Sequence, residues 1–287
     1  MQIKNHRIEQ YWYRQSSNVT PATTIVPRFV VLHYTTGWDG AASRDWLLGA
    51  AGGSSNQGSS AHLVIDRDGG AWQICPFNRR AWHAGPSRLG SLRDLNSHAI
   101  GIELVNPGWL KLDGLGGWID GHGHHRSDQQ LIDFGGYLLA PHSRVGADVY
   151  AWPRFADAQI RSARAICELL VHKYAIQAFV THEQIDTRGW KTDPGPAFPM
   201  AAFSELVEDF GRVHRPLRHA VNATRLNLRG GPGLGFERVD PPGQLGRGTL
   251  VDLQHQDQDW AYIEVADGDH AGVLGWVHAS YLDRIWN

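Results

Sequence analysis

Ala178-Phe-Val-Thr-His182-Glu-Gln-Ile-Asp-Thr-Arg-Gly-Trp-Lys191-Thr-Asp193-Pro-Gly-Pro196 begins as a short apolar strand and ends as a loop held by proline and glycine. The strand delivers a histidine at its carboxyl end, and the loop sets an ammonium and a carboxylate two positions apart. In an extended segment Lys191 and Asp193 can flank one small pocket. Pro194, Gly195 and Pro196 restrict the turn that follows and help fix where those side chains point. A neutral imidazole and a carboxylate are good zinc ligands, and a nearby lysine suits a developing oxyanion. Two ligands do not make a catalytic zinc site, so a third must come from elsewhere.

Phe29-Val-Val-Leu-His33-Tyr34 repeats the pattern: a buried strand by composition, a histidine near its end, and Thr35-Thr36-Gly37 to break it. In open α/β sheets, sites assemble at the carboxyl ends of strands. His33, His182 and Asp193 would supply two nitrogens and one oxygen and leave the fourth tetrahedral position to water. Any one of the 16 histidines taken alone reads as structural. The whole constellation reads as a metal centre.

Five segments occur in order: Phe29-Val-Val-Leu-His33, Ser60-Ala-His-Leu-Val-Ile-Asp-Arg-Asp-Gly69, Ala81-Trp-His-Ala-Gly85, Ile100-Gly-Ile-Glu-Leu104 and Lys191-Thr-Asp-Pro-Gly-Pro196. Together they resemble the zinc-dependent N-acetylmuramoyl-L-alanine amidases of type 2, a family that includes the peptidoglycan recognition proteins and amidase-type phage lysozymes. The resemblance spans roughly residues 25–212. It implies an α/β fold with a central mixed β-sheet flanked by helices, Zn2+ held by His33, His182 and Asp193, Glu103 as catalytic glutamate, and Lys191 near the scissile carbonyl. Some relatives carry a cysteine as third ligand and a tyrosine in place of the glutamate; this chain has the Asp and Glu version.

Amide hydrolysis needs a nucleophile, a polarised carbonyl and a protonated leaving amine, and zinc serves the first two by acidifying water to a pKa of about 7 and acting as a Lewis acid. Glu103 is a carboxylate where the strand Ile100-Gly-Ile-Glu-Leu-Val105 should hold a hydrophobe. Alternation alone would permit an outward, solvated residue there; beside a zinc site it reads as the general base that moves the water's proton to the amine. His83, in Trp82-His-Ala-Gly, is expected to line the substrate groove, as the resemblance implies. His62 reads equally as groove lining or as a satisfied sheet histidine. Trp82 reads equally as a sugar-stacking face or as packing.

A net charge of −2 over 287 residues points to neither nucleic acid nor an anionic membrane surface. Cys75 and Cys167 are isolated and read most simply as free buried thiols. No run reaches the length of a membrane span. The first ten residues have no apolar h-region, so no signal peptide is expected. The chain reads as an N-terminal arm (1–28), a catalytic domain (29–214) with a long insertion at about 106–150, and a third segment (219–287). Arg44–Leu48 fits a short helix, and Gly52–Ser60 a small polar loop on the groove rim. The insertion carries His122, His124 and His125, read as an exposed loop that forms a lid or substrate wall. Ile160, Ala163, Ile166, Leu169, Leu170 and Tyr174 mark one face of a helix over the sheet. Met200–Val213 reads as another helix.

From about residue 219, short β runs take over. Asn227-Leu-Arg-Gly-Gly-Pro-Gly233, Gly248–Leu253, Trp260–Val265 and Gly275-Trp-Val-His-Ala-Ser-Tyr-Leu282 resemble a bacterial SH3-like domain, which implies a small all-β barrel. Its acidic balance and aromatics fit short peptides better than anionic polymers; the alternative is a packing module. The expected activity is cleavage of the amide between N-acetylmuramic acid and the L-alanine of the stem peptide. The partners implied are peptidoglycan or muropeptides, with no nucleic acid and no membrane span. A binding-only recognition protein and a cytosolic muropeptide-recycling amidase are the alternatives. Without a signal peptide, action on the cell wall implies phage lysis or a dedicated secretion system, the latter with an immunity or delivery protein.

Overall fold

Strand Phe29–Tyr34 is buried along its whole length and organises the sheet around it. The computed structural model describes residues 1–213 and 217–285. Six strands form one mixed sheet: β1 (Trp12–Tyr13), β2 (Phe29–Tyr34), β3 (Leu63–Ile65), β4 (Ala71–Gln73), β5 (Ala99–Leu104) and β6 (Ala178–Thr181), in spatial order β6-β2-β5-β3-β4-β1. β6, β2, β5 and β3 run parallel, β4 is antiparallel to β3, and β1 runs parallel to β4. Parallel strands are covered on both faces, which is why β2 and β5 read as near-continuous apolar runs.

Register decides what shares a face. Gly101 pairs with Val31, Glu103 with His33, and Thr181 with Leu32, so His182 follows beside His33. With a side-chain period of two, Phe29, Val31 and His33 lie on one face of β2. Ala99, Gly101 and Glu103 lie on the same face of β5. Phe29, Val31, Ala99 and Val180 pack with Ala84, Leu95 and Ile185 into an apolar floor. The polar residues stand above that floor, at the carboxyl ends of three adjacent strands.

Helix Gly40–Leu48 starts where the Asp39 side chain accepts from the Ala42 amide at 2.7 Å, and buries Leu47 and Leu48 with Val64, Ile74 and Val105. Helix Asp157–Tyr174 is pinned by Gln159, whose Nε2 donates to the carbonyls of Ile65 and Val105 at 2.9 and 3.2 Å. Gln159, Ala163, Ile166, Cys167 and Leu170 are buried, whereas Ile160 and Leu169 are half-buried, so the inner face is turned slightly from the expected one. Helix Ala201–Val213 matches the expected segment.

Residues 1–28 are less separate than an arm. Trp12–Tyr13 is the edge strand of the sheet, and Val19–Thr24 pairs with Arg79–Ala81. The insertion is not a loop but a five-stranded antiparallel sheet, ordered His125–Arg126, Trp118–Asp120, Leu110–Leu112, Gly146–Pro153 and Tyr137–His142. Leu110, Trp118, Leu131 and Ala151 form its own small core. Cys75 and Cys167 are free and buried. No helix among the described residues is long and apolar enough to cross a membrane.

The chain divides into two compact units, Met1–His172 with Ile176–Val207, and Lys173–Ala175 with Glu208–Asn287. In the second, five antiparallel strands run in the order Leu274–His278, Trp260–Val265, Leu250–Asp257, Leu217–Val221 and Leu282–Arg284, with a hairpin of Arg225–Asn227 and Gln244–Gly246. Val221, Leu226, Leu228, Leu245, Val251, Ile263 and Val277 fill its core.

Candidate active site

His33, His182 and Asp193 converge, each nearly inaccessible to solvent at 1%, 4% and 6% exposure. His33 Nδ1 lies 3.0 Å from His182 Nδ1 and 2.8 Å from Asp193 Oδ2, and His182 Nδ1 lies 2.9 Å from the same carboxylate oxygen. Burial works against the Asp193 charge, but the His182 and His33 rings outweigh it and hold the carboxyl well below its usual range. Burial, with His182 opposing a second positive charge, depresses His33 to about 4, so both its nitrogens are shared without a full charge at neutral pH.

That triangle fits a cation. Two imidazole nitrogens and a carboxylate oxygen at mutual contact offer more lone pairs than protons to separate them. Tetrahedral bonding at about 2.0 Å would separate ligand atoms by about 3.3 Å, a few tenths more than the spacing here. The donor set is one zinc accepts, and three ligands rather than four leave an open position. Among the described residues this is the one group of His, Cys, Asp or Glu with metal-ligand spacing.

The loop that carries Asp193 is held from several sides. Thr181 and Gln184 form a capping box at the short helix His182–Ile185, and the Glu183 amide donates to the Asp193 carbonyl at 3.1 Å. Asp186 accepts from the amides of Trp190 and Lys191 at 3.0 and 3.1 Å. Burial pushes the Asp186 carboxyl up, but the Lys191 and Trp190 amides outweigh it and hold it at about 2. Arg144, in the turn between the last two insertion strands, donates to the Lys191 carbonyl at 2.9 Å and lies 3.6 Å from Asp186. Gly195 is required: a Cβ there would meet the Trp152 ring at 2.5 Å.

A cavity of about 680 Å³ opens over the triangle, and Glu103, Lys191 and His83 line it with the three candidate ligands. Glu103 is half-buried, and its Oε2 is enclosed with no hydrogen-bond partner among the described residues. Burial first, then the Asp193 charge, raise the Glu103 carboxyl well above its usual range, while Lys191 acts in the opposite direction. Two carboxyls on one cavity are thus driven apart, one held ionised and the other inclined to keep a proton.

The remaining sequence candidates separate. His83 is 6% exposed and touches His33. His62 is fully buried; its Nε2 bonds the Arg79 carbonyl and its Nδ1 accepts from the Gly101 amide, so it is a satisfied sheet histidine away from the cavity. Trp82 is half-buried, donates from Nε1 to Thr20 Oγ1 at 2.9 Å, and does not line the cavity. Trp38, His122 and His124 do line it; the sequence signalled the two histidines only through the insertion's place after the Glu103 strand, and gave no signal for Trp38. Asp120 holds this wall, accepting from Trp38 Nε1 at 2.7 Å and bonding His124 Nδ1 at 3.0 Å.

Known proteins share much of this chain. It is 32% identical over 149 residues to the 1,6-anhydro-N-acetylmuramyl-L-alanine amidase AmpD of Salmonella typhimurium, covering 52% of this chain and 57% of that one. It is 30% identical over 130 residues to the N-acetylmuramoyl-L-alanine amidase AmiD of Escherichia coli, covering 45% of this chain and 34% of the relative. The chain thus spans about half the length, or less, of these curated relatives. A crystal structure of an AmpD derivative aligns at TM-score 0.47 and 23% identity over 72% of this chain and 99% of its own. The family described as N-acetylmuramoyl-L-alanine amidase matches residues 23–196, well over half of the sequence, and this chain belongs to that family.

Proposed function

We propose that the chain hydrolyses the amide between the lactyl group of N-acetylmuramic acid and the L-alanine of the stem peptide. The observation that carries this reading is the open triangle of His33, His182 and Asp193 facing one cavity together with Glu103 and Lys191. A zinc ion held by the three ligands would supply Lewis acidity, polarising the carbonyl and acidifying water. Glu103, when ionised, takes the proton of the attacking water and returns it to the departing amine, a return favoured because burial raises the carboxyl's affinity for a proton. Lys191 donates to the oxygen that gains charge as the carbonyl becomes tetrahedral. Asp186 and Arg144 keep the Lys191 backbone in place while it does so.

Two substrate settings remain in the same chemistry. Relatives named 1,6-anhydro-N-acetylmuramyl-L-alanine amidases favour small anhydromuropeptides. The C-terminal β unit, which we read as an SH3-like targeting module, favours polymeric peptidoglycan, where a second contact raises the effective concentration. No residue points to a delivery route or an immunity partner. Mass spectrometry of products from purified sacculi and from anhydromuropeptides tests both settings. Release of stem peptides beginning with L-alanine, lost on chelation and restored by zinc, is the expected result. Intact substrate in both, with zinc bound, would leave only a binding role.

A further inference from the structure

His83 is placed too deep to act as a groove residue alone. Its ring stacks edge-on against His33 with centroids 5.3 Å apart, and its Nδ1 lies 3.2 Å from His33 Nε2. Its Nε2 lies 3.3 Å from the Ala99 carbonyl. Asn96 Oδ1 accepts from the amides of His83 and Ala84 at 2.9 and 2.8 Å, which fixes the loop that carries the ring. Gly101 makes the space: a Cβ on it would meet His83 Cγ at 2.3 Å. Two sequence segments, Ala81-Trp-His-Ala-Gly85 and Ile100-Gly-Ile-Glu-Leu104, are thereby one structural unit.

The chemistry of this chain of contacts has a direction. A carbonyl only accepts, so the Ala99 oxygen requires the proton of His83 on Nε2. A neutral His83 then presents a lone pair at Nδ1, which requires a proton on His33 Nε2. A neutral His33 is left with a lone pair on Nδ1, the atom that faces His182 and Asp193. The opposite assignment would set the Nε2 lone pair of His83 against the Ala99 carbonyl. A histidine that ligates through Nδ1 is neutral and keeps its one proton on Nε2, the atom 3.2 Å from His83 Nδ1.

We propose that His83 is a positioning residue that fixes His33 in the tautomer and orientation needed to ligate through Nδ1. The metal site is then built on a buried relay from Ala99 through His83 to His33. This rests on the metal reading of the triangle, and outer partners of a metal-bound histidine set its ring orientation and basicity in just this manner.

The test uses the full chain, with zinc affinity read by competition against a chelator. A second arm reads the tautomer of His33 from imidazole 15N spectra of the metal-free protein. His83→Phe keeps a ring but removes the acceptor, and zinc affinity should fall by about 10–100-fold. His83→Asn places Oδ1 near the position of the ring Nδ1 and should recover most of that loss. In the wild type His83 should draw the His33 proton to Nε2 against the Asp193 carboxylate 2.8 Å from Nδ1, and in His83→Phe the balance should shift toward Nδ1. Unchanged affinity and unchanged tautomer in His83→Phe would overturn the proposal. So would His83→Asn falling as far as His83→Phe in a folded protein, because packing alone would then explain both. If the wild type binds no zinc, the metal reading fails, and the tautomer arm still decides the relay. Should His83→Phe fail to fold, His83→Asn and the wild-type spectrum carry the decision.

Discussion

Gly101→Ala adds a single methyl group in the middle of β5, and on general grounds it should help. Alanine in a strand interior is favoured over glycine by roughly 0.5–1 kcal/mol, because glycine loses more conformational freedom on folding. The structure reverses that sign. The new Cβ would stand 2.3 Å from His83 Cγ and 2.7 Å from its Nδ1, against an ordinary contact of 3.4–4 Å. The ring must retreat by about 1 Å, taking its hydrogen bonds to His33 and Ala99, at 3.2 and 3.3 Å, out of range. Overpacking costs about 1–3 kcal/mol, and each buried polar group left unpaired about 1–3 kcal/mol more. Partial relaxation and the alanine gain leave a net destabilisation of about 2–4 kcal/mol, with weaker zinc binding alongside. Urea unfolding followed by tryptophan fluorescence, with chelator competition on the same samples, measures both. A double-mutant cycle sharpens the result: with His83→Ala already present, Gly101→Ala should cost much less, since the ring it strikes is gone. The steric account is refuted if Gly101→Ala matches or exceeds wild-type stability and binds zinc normally. It is equally refuted if the two substitutions simply add.

Glu103→Gln should retain fold and zinc affinity while hydrolysis falls by roughly 10²–10⁴-fold, and full activity in steady-state assays would make Glu103 structural. Arg144→Ala frees the Lys191 carbonyl and one side of Asp186, so turnover should drop by roughly tenfold with zinc affinity unchanged, as single-turnover kinetics would show. Asp186 is held down at about 2, so its ionised form adds stability above about pH 4 that is lost as pH falls through about 2. The stability advantage of wild type over Asp186→Asn should therefore shrink across that interval in acid titrations. A truncation ending near Arg218 should still cleave small muropeptides but bind and digest sacculi less well. Equal sacculus binding by both forms would remove the targeting role.

The convergence of His33, His182 and Asp193 was legible because its signal is local and chemical. Phe29–His33 and Ala178–His182 are strands by composition, each ends in a ligand-type residue, and the structure brings both to Asp193. What escaped notice depends on pairing between distant segments. Trp12–Tyr13 is too short to show any period, and only its partner strand Ala71–Gln73 makes it part of the sheet. Trp118–Asp120 and Leu110–Leu112 likewise gain their meaning from each other, and with them the wall of His122 and His124. His62, Trp82 and His83 looked alike in sequence, as ring residues near glycine or turns. Their hydrogen-bond partners, Arg79, Thr20 and His33, distinguish them, and no spacing rule encodes those contacts.

His33 and His182 are 149 residues apart in sequence, and Asp193 lies 11 further on. A cation shared by these residues would therefore act as a cross-link across a very long loop. Closing about 100 residues removes roughly 4–5 kcal/mol of chain entropy from the unfolded state when the tie is covalent. A coordinate tie acts in the same direction for as long as it holds. During synthesis the site has no partial form, since the first ligand must wait until the last has left the ribosome. Metal uptake would then report completion of the sheet, and its loss would loosen the pairing of β6 with β2, which joins the two ends of the domain.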